Sequence, residues 1–149
     1  MGQQQIYLVI IVAIIVSIAT FLALNVLGSG SKQSNYNAVR QDLAQIASSS
    51  QTWYARPTFM GGGNNSFSNI SFSQIPFQGE ILEGSNGLIS TNINGTYWIR
   101  EINTADIFVR GYPATEKGYI VGETPSLGWF EARIYRNGFT IGIELDADP

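Results

Sequence analysis

The chain contains neither cysteine nor histidine. Disulfide staples, thiolate metal sites, haem attachment through C-x-x-C-H and any catalytic unit built on imidazole are thereby excluded. Charge is also scarce: 8 Lys and Arg and 11 Asp and Glu in 149 residues, with none in residues 1–31. No Lys/Arg cluster is present to release counterions from a phosphate backbone, which excludes nucleic acid as the main partner. A phosphate-binding G-x-x-x-x-G-K-[ST] loop is missing too. Glu80 and Glu83 are the nearest thing to an acid/base pair, but no surrounding pattern suggests a cleft, so the chain does not read as an enzyme. No cofactor is expected.

What the chain does have is an apolar opening. Ile6–Leu27 is twenty-two residues without a charge, glycine or proline. As a helix it would span about 33 Å, enough for the hydrocarbon core of a bilayer. A cleaved secretory signal needs a basic start and a shorter apolar stretch. Neither is found here, so the segment is expected to be retained as an anchor or as a rod that packs on copies of itself. Ala13, Ser17, Thr20, Ala19 and Ala23 are small enough to let neighbouring helices approach closely.

After "GSGSKQSN" (28–35), where Gly28 and Gly30 could loosen a helix, a second pattern begins. Tyr36, Val39, Leu43, Ile46, Ser50 and Trp53 recur at steps of three and four, which predicts one apolar stripe on a helix. Arg40, Gln41, Gln45 and Ser49 fall on its other faces. Ser34 or Asn35 is a suitable cap for this second half, and Pro57 marks its stop. Residues 1–56 therefore read as one long helix, apolar throughout over 6–27 and amphipathic over 33–56.

Residues 57–149 read as a β-rich head. "GGGNN" (61–65) predicts a turn or flexible loop, and strands are expected at 87–90, 96–102, 105–109, 119–121, 129–135 and 139–145. Asn137-Gly138 between two alternating runs predicts a two-residue hairpin, with Phe139, Ile141, Ile143 and Leu145 on one face. The expected class is α+β: an antiparallel sheet packed on the C-terminal half of the helix, with Tyr36, Val39, Leu43, Ile46 and Trp53 as helix contacts. Trp53, Tyr54, Trp98 and Trp129 are the expected seam.

"MGQQQ" before an Ile/Val/Leu run, followed by "DLAQIA…QTWYARPTFMGGG" near the helix end, resembles the type IV pilin superfamily. It is most similar to small bacterial pilin-like proteins with a GQQQ opening. The resemblance covers residues 1–67 and reaches the head only in general character. It implies a subunit held in the inner membrane by its apolar helix, then polymerised by pilus assembly machinery into an extracellular surface filament. Helices would form the core of that filament and heads its surface, with cell adhesion among the functions of such fimbriae. Minor pseudopilins of secretion systems share the same plan, and a single-span membrane-anchored binding module is the other expectation.

The chain departs from the pilin pattern at its start. Gly2 matches the leader glycine, but no basic residue precedes it, Gln3 replaces the usual Phe, and Tyr7 stands where a glutamate pairs with a neighbour's terminal amine. Gln3, Gln4 and Gln5 could replace that charge pair with neutral amide hydrogen bonds, each side chain both donating and accepting. The expected core-assembly residues are therefore Gln3, Gln4, Gln5, Ile6, Tyr7, Ala13, Ser17, Thr20 and Ala23.

Three weaker signals complete the reading. Asn64, Asn69 and Asn94 stand in N-x-[ST] sequons and are glycosylation candidates. Glu144, Asp146 and Asp148 alternate near the C-terminus and could offer Ca²⁺ several carboxylate oxygens, although a solvated acidic tail explains them equally. Residues 32–56 carry a net charge of +2 and residues 57–149 one of −5, which suggests charge complementarity between neighbouring subunits.

Overall fold

A computed structural model describes residues 2–115 and 128–144 of the chain. The protein is an α+β structure in which the C-terminal half of one long helix lies on a six-stranded antiparallel sheet. The helix α1 (Gly2–Ala55) is followed by a short 3-10 turn at Thr58–Met60 and six strands. These are β1 (Glu80–Ile81), β2 (Ile89–Thr91), β3 (Gly95–Ile102), β4 (Asp106–Pro113), β5 (Trp129–Tyr135) and β6 (Gly138–Glu144). Each strand pairs with the next in sequence, so the sheet is a simple meander. The chain divides into two compact units, Met1–Ser34 and Asn35–Pro149.

The helix runs through Gly28 and Gly30 without a break. Each glycine costs roughly 1 kcal/mol relative to alanine in a helix interior, which the long helical stretches on both sides tolerate. Ser34 and Asn35 consequently cap nothing, contrary to the sequence expectation, because no helix begins there. Asn35 instead donates from Nδ2 to the Asn94 carbonyl (2.7 Å), while its Oδ1 accepts from the Thr115 backbone N–H (3.1 Å) and hydroxyl (2.8 Å). The helix does stop before Pro57, as its φ and missing N–H require.

Within the second unit, Val39, Leu43, Ile46, Ala47, Ser50, Trp53 and Tyr54 are the buried face of α1. Opposite them lie Tyr97 and Ile99 from β3, Ile107 and Val109 from β4, and Phe130, Ala132 and Ile134 from β5. Their period of two is that of a sheet with one face covered. The loop before β1 closes the core with Phe67, Ile70, Phe72 and Ile75. Where α1 crosses β4 only glycine fits: a Cβ on Gly111 would stand 2.9 Å from Val39 Cγ1 and 3.2 Å from Leu43 Cδ1.

Several sequence expectations need correction. Trp98 and Trp129 do not line the seam, because their strand neighbours Tyr97, Ile99 and Phe130 already point into the core. Alternation puts both tryptophans on the outer face. The loop residues of the last hairpin are Arg136 and Asn137, since Gly138 pairs with Tyr135. Phe139 and Ile141 then oppose the buried Ile134 and Ala132, with Ile141 packed on the core and Phe139 40 % exposed at its margin. Strand β4 extends four residues beyond the expected 105–109, since Gly111 can lie under the helix. The expected strand at 119–121 and Leu145 fall outside the described residues.

One carboxylate joins helix to sheet. Asp42 Oδ2 accepts hydrogen bonds from Tyr97 Oη (2.5 Å), Asn92 Nδ2 (2.8 Å) and Asn94 Nδ2 (2.9 Å). Tyr97 is fully buried, and burial together with the bond to Asp42 holds its phenol far above the ordinary tyrosine range. Asp42→Ala orphans the buried Tyr97 hydroxyl, a loss of about 1–3 kcal/mol, and releases two half-buried amides. Chemical denaturation of the full chain in mild detergent should therefore show Asp42→Ala more destabilised than Tyr97→Phe, and a double variant less destabilised than the sum. Strict additivity would mean that the two side chains are not coupled.

Candidate functional site

Residues 6–27 form the most unusual surface of the molecule. Sixteen large apolar side chains from Ile6 to Leu27 are each 49–70 % exposed, and they occupy every face of the helix. The helix is long and apolar enough to cross a bilayer. Its small hydroxyls are satisfied internally. Ser17 Oγ donates to the Ala13 carbonyl (2.7 Å), Thr20 Oγ1 to the Val16 carbonyl (2.8 Å) and Ser29 Oγ to the Val26 carbonyl (3.0 Å). With those hydroxyls folded back, the stretch presents hydrocarbon interrupted only by the exposed Tyr7 hydroxyl and Asn25 amide. Gln3, Gln4 and Gln5 lie exposed on the first helical turns, just before Ile6. Tyr7 is exposed among the aliphatic residues, and Ala13, Ser17, Thr20 and Ala23 are exposed as well.

Of the expected helix–head contacts, Val39, Leu43, Ile46 and Trp53 are buried and Tyr36 packs partly buried against the same core. Tyr36 meets the Phe130 ring edge-on at 5.6 Å, and the Arg40 guanidinium lies 5.0 Å from the same ring. Arg40 and Asp42 are thus engaged within their own head, which weakens the expectation that helix charges serve neighbouring subunits. The three sequon asparagines differ. Asn64 and Asn69 are exposed in the loop after the helix, whereas Asn94 is half-buried with its amide nitrogen committed to Asp42. Of the acidic triplet, Asp146 and Asp148 lie outside the described residues, and only the backbone of Glu144 is described, as the end of β6. Glu80 and Glu83 are both exposed near the edge strand β1.

The loop after the helix is not the loose connector that "GGGNN" suggests. Gly63, Asn64 and Asn65 donate their backbone N–H groups to the carbonyls of Trp53, Arg56 and Tyr54 at 2.8–2.9 Å, capping the helix C-terminus. Asn64 and Asn65 both adopt positive φ to do so, a conformation that asparagine tolerates better than most residues. The capping loop encloses a hollow of about 330 Å³ lined by Trp53, Thr58, Gly61–Gly63, Ser66, Ser68, Asn69 and Gln74. Phe59 and Met60, in the 3-10 turn that precedes the glycines, are 81 % and 61 % exposed and are not part of that lining.

On the outer face of the sheet, charge and aromatic rings close on one another. Arg110 Nε donates to Glu131 (2.8 Å) and its guanidinium lies 4.6 Å from the Trp129 ring. Arg133 donates to Asp106 from Nη2 (2.7 Å) and Nε (2.8 Å), between Phe108 and Tyr135. These partners neutralise the arginines, leaving a structural lattice rather than an anion site.

Sequence reasoning missed two residues here. Asp42 had a signal, being the sole acidic residue before Glu80. Ile93, 91 % exposed in the turn between β2 and β3, had one also, as an isoleucine between two asparagines in "TNINGT".

The Asp106 pair gives a pH dependence. Hydrogen bonds from Arg133 and then Asn103 hold the Asp106 carboxyl below the usual range. Its contribution is present above the unfolded-state value of about 4 and is lost as pH falls through the lower folded value. Wild type should exceed Asp106→Asn in stability at pH 7, and the gap should close below about pH 4; melting curves at both pH values check this. No family model matches the chain, and no curated protein or solved structure does so either.

Proposed function

We propose that this chain is the structural subunit of a type IV pilus-like filament, held in a membrane before assembly. The observation that carries the reading is the apolar stretch of α1, exposed on all its faces from Ile6 to Leu27. Burying apolar surface gains about 25 cal/mol per Å², so such a stretch is not left in water. Lipid and neighbouring copies satisfy it equally well, and transfer from one to the other is close to balanced. Small residues at 13, 17, 20 and 23 suit close helix approach. Gln3, Gln4 and Gln5 suit neutral hydrogen bonding where the pilin pattern has a charge pair. In this reading the chain is not an enzyme, the head faces outward on an extracellular filament, and assembly machinery moves the subunit out of the inner membrane.

A second reading, a single-span anchored binding module, draws on the polar hollow beside Trp53, whose hydroxyls and amides could hold a small ligand. Shearing separates the two. Cells expressing the full chain should release thin filaments visible by negative-stain microscopy, with this protein as their major component by mass spectrometry. Ala13→Phe, which blocks close approach, should lower the yield, and so should changing Gln3, Gln4 and Gln5 together to Ala. Chains that stay with the membrane fraction after shearing would favour the anchored module. Normal yield from the triple variant would remove the amide role.

A further inference from the structure

Two polar side chains in the apolar stretch stand near its two ends. Tyr7 follows Ile6 at the start, and Asn25 precedes Val26 and Leu27 at the finish. Both are exposed, and neither has a hydrogen-bond partner among the described residues. Ser17 and Thr20, which lie between them, return their hydroxyls to the Ala13 and Val16 carbonyls. A hydroxyl or amide without a partner is costly in hydrocarbon. The polar groups in the middle of the stretch are therefore self-satisfied, and the two that are not stand where polar surroundings are within reach.

Their separation matches a bilayer. From Tyr7 to Asn25 the helix axis advances about 27 Å, and the hydrocarbon core of a bilayer is about 30 Å thick. The same advance is about five turns of 3.6 residues, so both side chains leave the helix on one face. Tilting toward or away from that face moves one group outward and the other inward, so tilt brings the pair no gain. Tyrosine suits the headgroup level, with an apolar ring and a polar tip. Gln3, Gln4 and Gln5 lie farther out beyond Tyr7, and the first charge, Lys32, lies farther out beyond Asn25. Lipid is the partner that fits, because acyl chains cover a helix from all sides and the side chains between Tyr7 and Asn25 are exposed on every face.

We propose that Tyr7 and Asn25 mark the two headgroup planes of a bilayer, with residues 8–24 inside the hydrocarbon and Val16 at its centre. The Tyr7 hydroxyl bonds to the polar groups of one leaflet and the Asn25 amide to those of the other. The helix then stands close to upright, and a thicker bilayer has to thin around it. This inference rests on the reading of α1 as held in a membrane before assembly, and fixes its depth there.

Because the chain has no cysteine, a single nitroxide can be placed on it selectively. Leu8→Cys, Val16→Cys and Leu24→Cys, all at exposed positions of α1, leave Tyr7 and Asn25 in place. Each labelled full chain is reconstituted into dioleoyl phosphatidylcholine vesicles. Label depth is read from collisions with dissolved oxygen relative to those with a water-soluble nickel chelate. Labels at 8 and 24 should lie equally shallow, and the label at 16 deepest. Asn25→Leu should draw the label at 24 inward by about 2–3 Å, one to two residues of helix rise, and Tyr7→Phe should do the same to the label at 8. A label left unmoved by its neighbouring substitution, or a label at 24 as deep as that at 16, overturns the boundary and leaves the membrane reading standing. A label at 16 shielded from oxygen and nickel alike means that protein covers the stretch in place of lipid, and overturns the proposal as well. Labels that all stay in water overturn both the boundary and the membrane reading.

Discussion

A backbone surrounded by hydrocarbon has no water to bond with, so it must close its hydrogen bonds within the segment. The first half of α1 meets that constraint completely, with even Ser17 and Thr20 returning their hydroxyls to carbonyls one turn back. Having met it, the segment has little but apolar side chains left to offer, Tyr7 and Asn25 apart, and requires an apolar environment around it. The second half of the same helix answers a different demand. It presents one stripe to the sheet and leaves Gln41, Gln45 and Thr52 in water. One element thus carries two solvents' worth of chemistry, and the change from one to the other falls where charge first appears, at Lys32.

The head is organised around that second half. Gly111 lets the helix come close to β4, and Asp42 fixes the helix against β3 and the adjoining turn. The Gly63–Asn65 loop returns to satisfy the last carbonyls of α1. These contacts position two surfaces that the core does not use, the Ile93 tip and the hollow beside Trp53. The outer sheet face, by contrast, is occupied with its own arginine–aromatic and arginine–carboxylate contacts. Its charges are spent on cohesion, and it offers less to a partner than its aromatic content suggests.

The class of fold was legible because both periodicities are strong. Steps of three and four from Tyr36 to Trp53 mark the buried stripe, and alternation in β3–β6 marks the sheet. What escaped was set by single atoms. At Gly111 even a Cβ would crowd Val39 and Leu43 of the helix, and no local pattern records which strand a helix will cross. Pairing of Tyr135 with Gly138 moved the last turn one residue away from the favoured Asn-Gly position. Trp98 and Trp129 were assigned by size when parity decided their side. The single long helix read from the sequence runs through Gly28 and Gly30, whose low propensity a long helix overrides. Asn35, read as a cap, turned out to bond to the far end of β4 through Thr115.

The central claim concerns what covers residues 6–27 once lipid is gone, and it is tested most directly by sedimentation of the purified full chain as detergent is withdrawn. The account predicts that the monomer disappears into large, elongated particles, and that this persists at high salt because the covering surface carries no charge. A stable monomer that sediments as a compact sphere in detergent-free buffer would contradict it, since the apolar stretch would then have found its cover within its own chain.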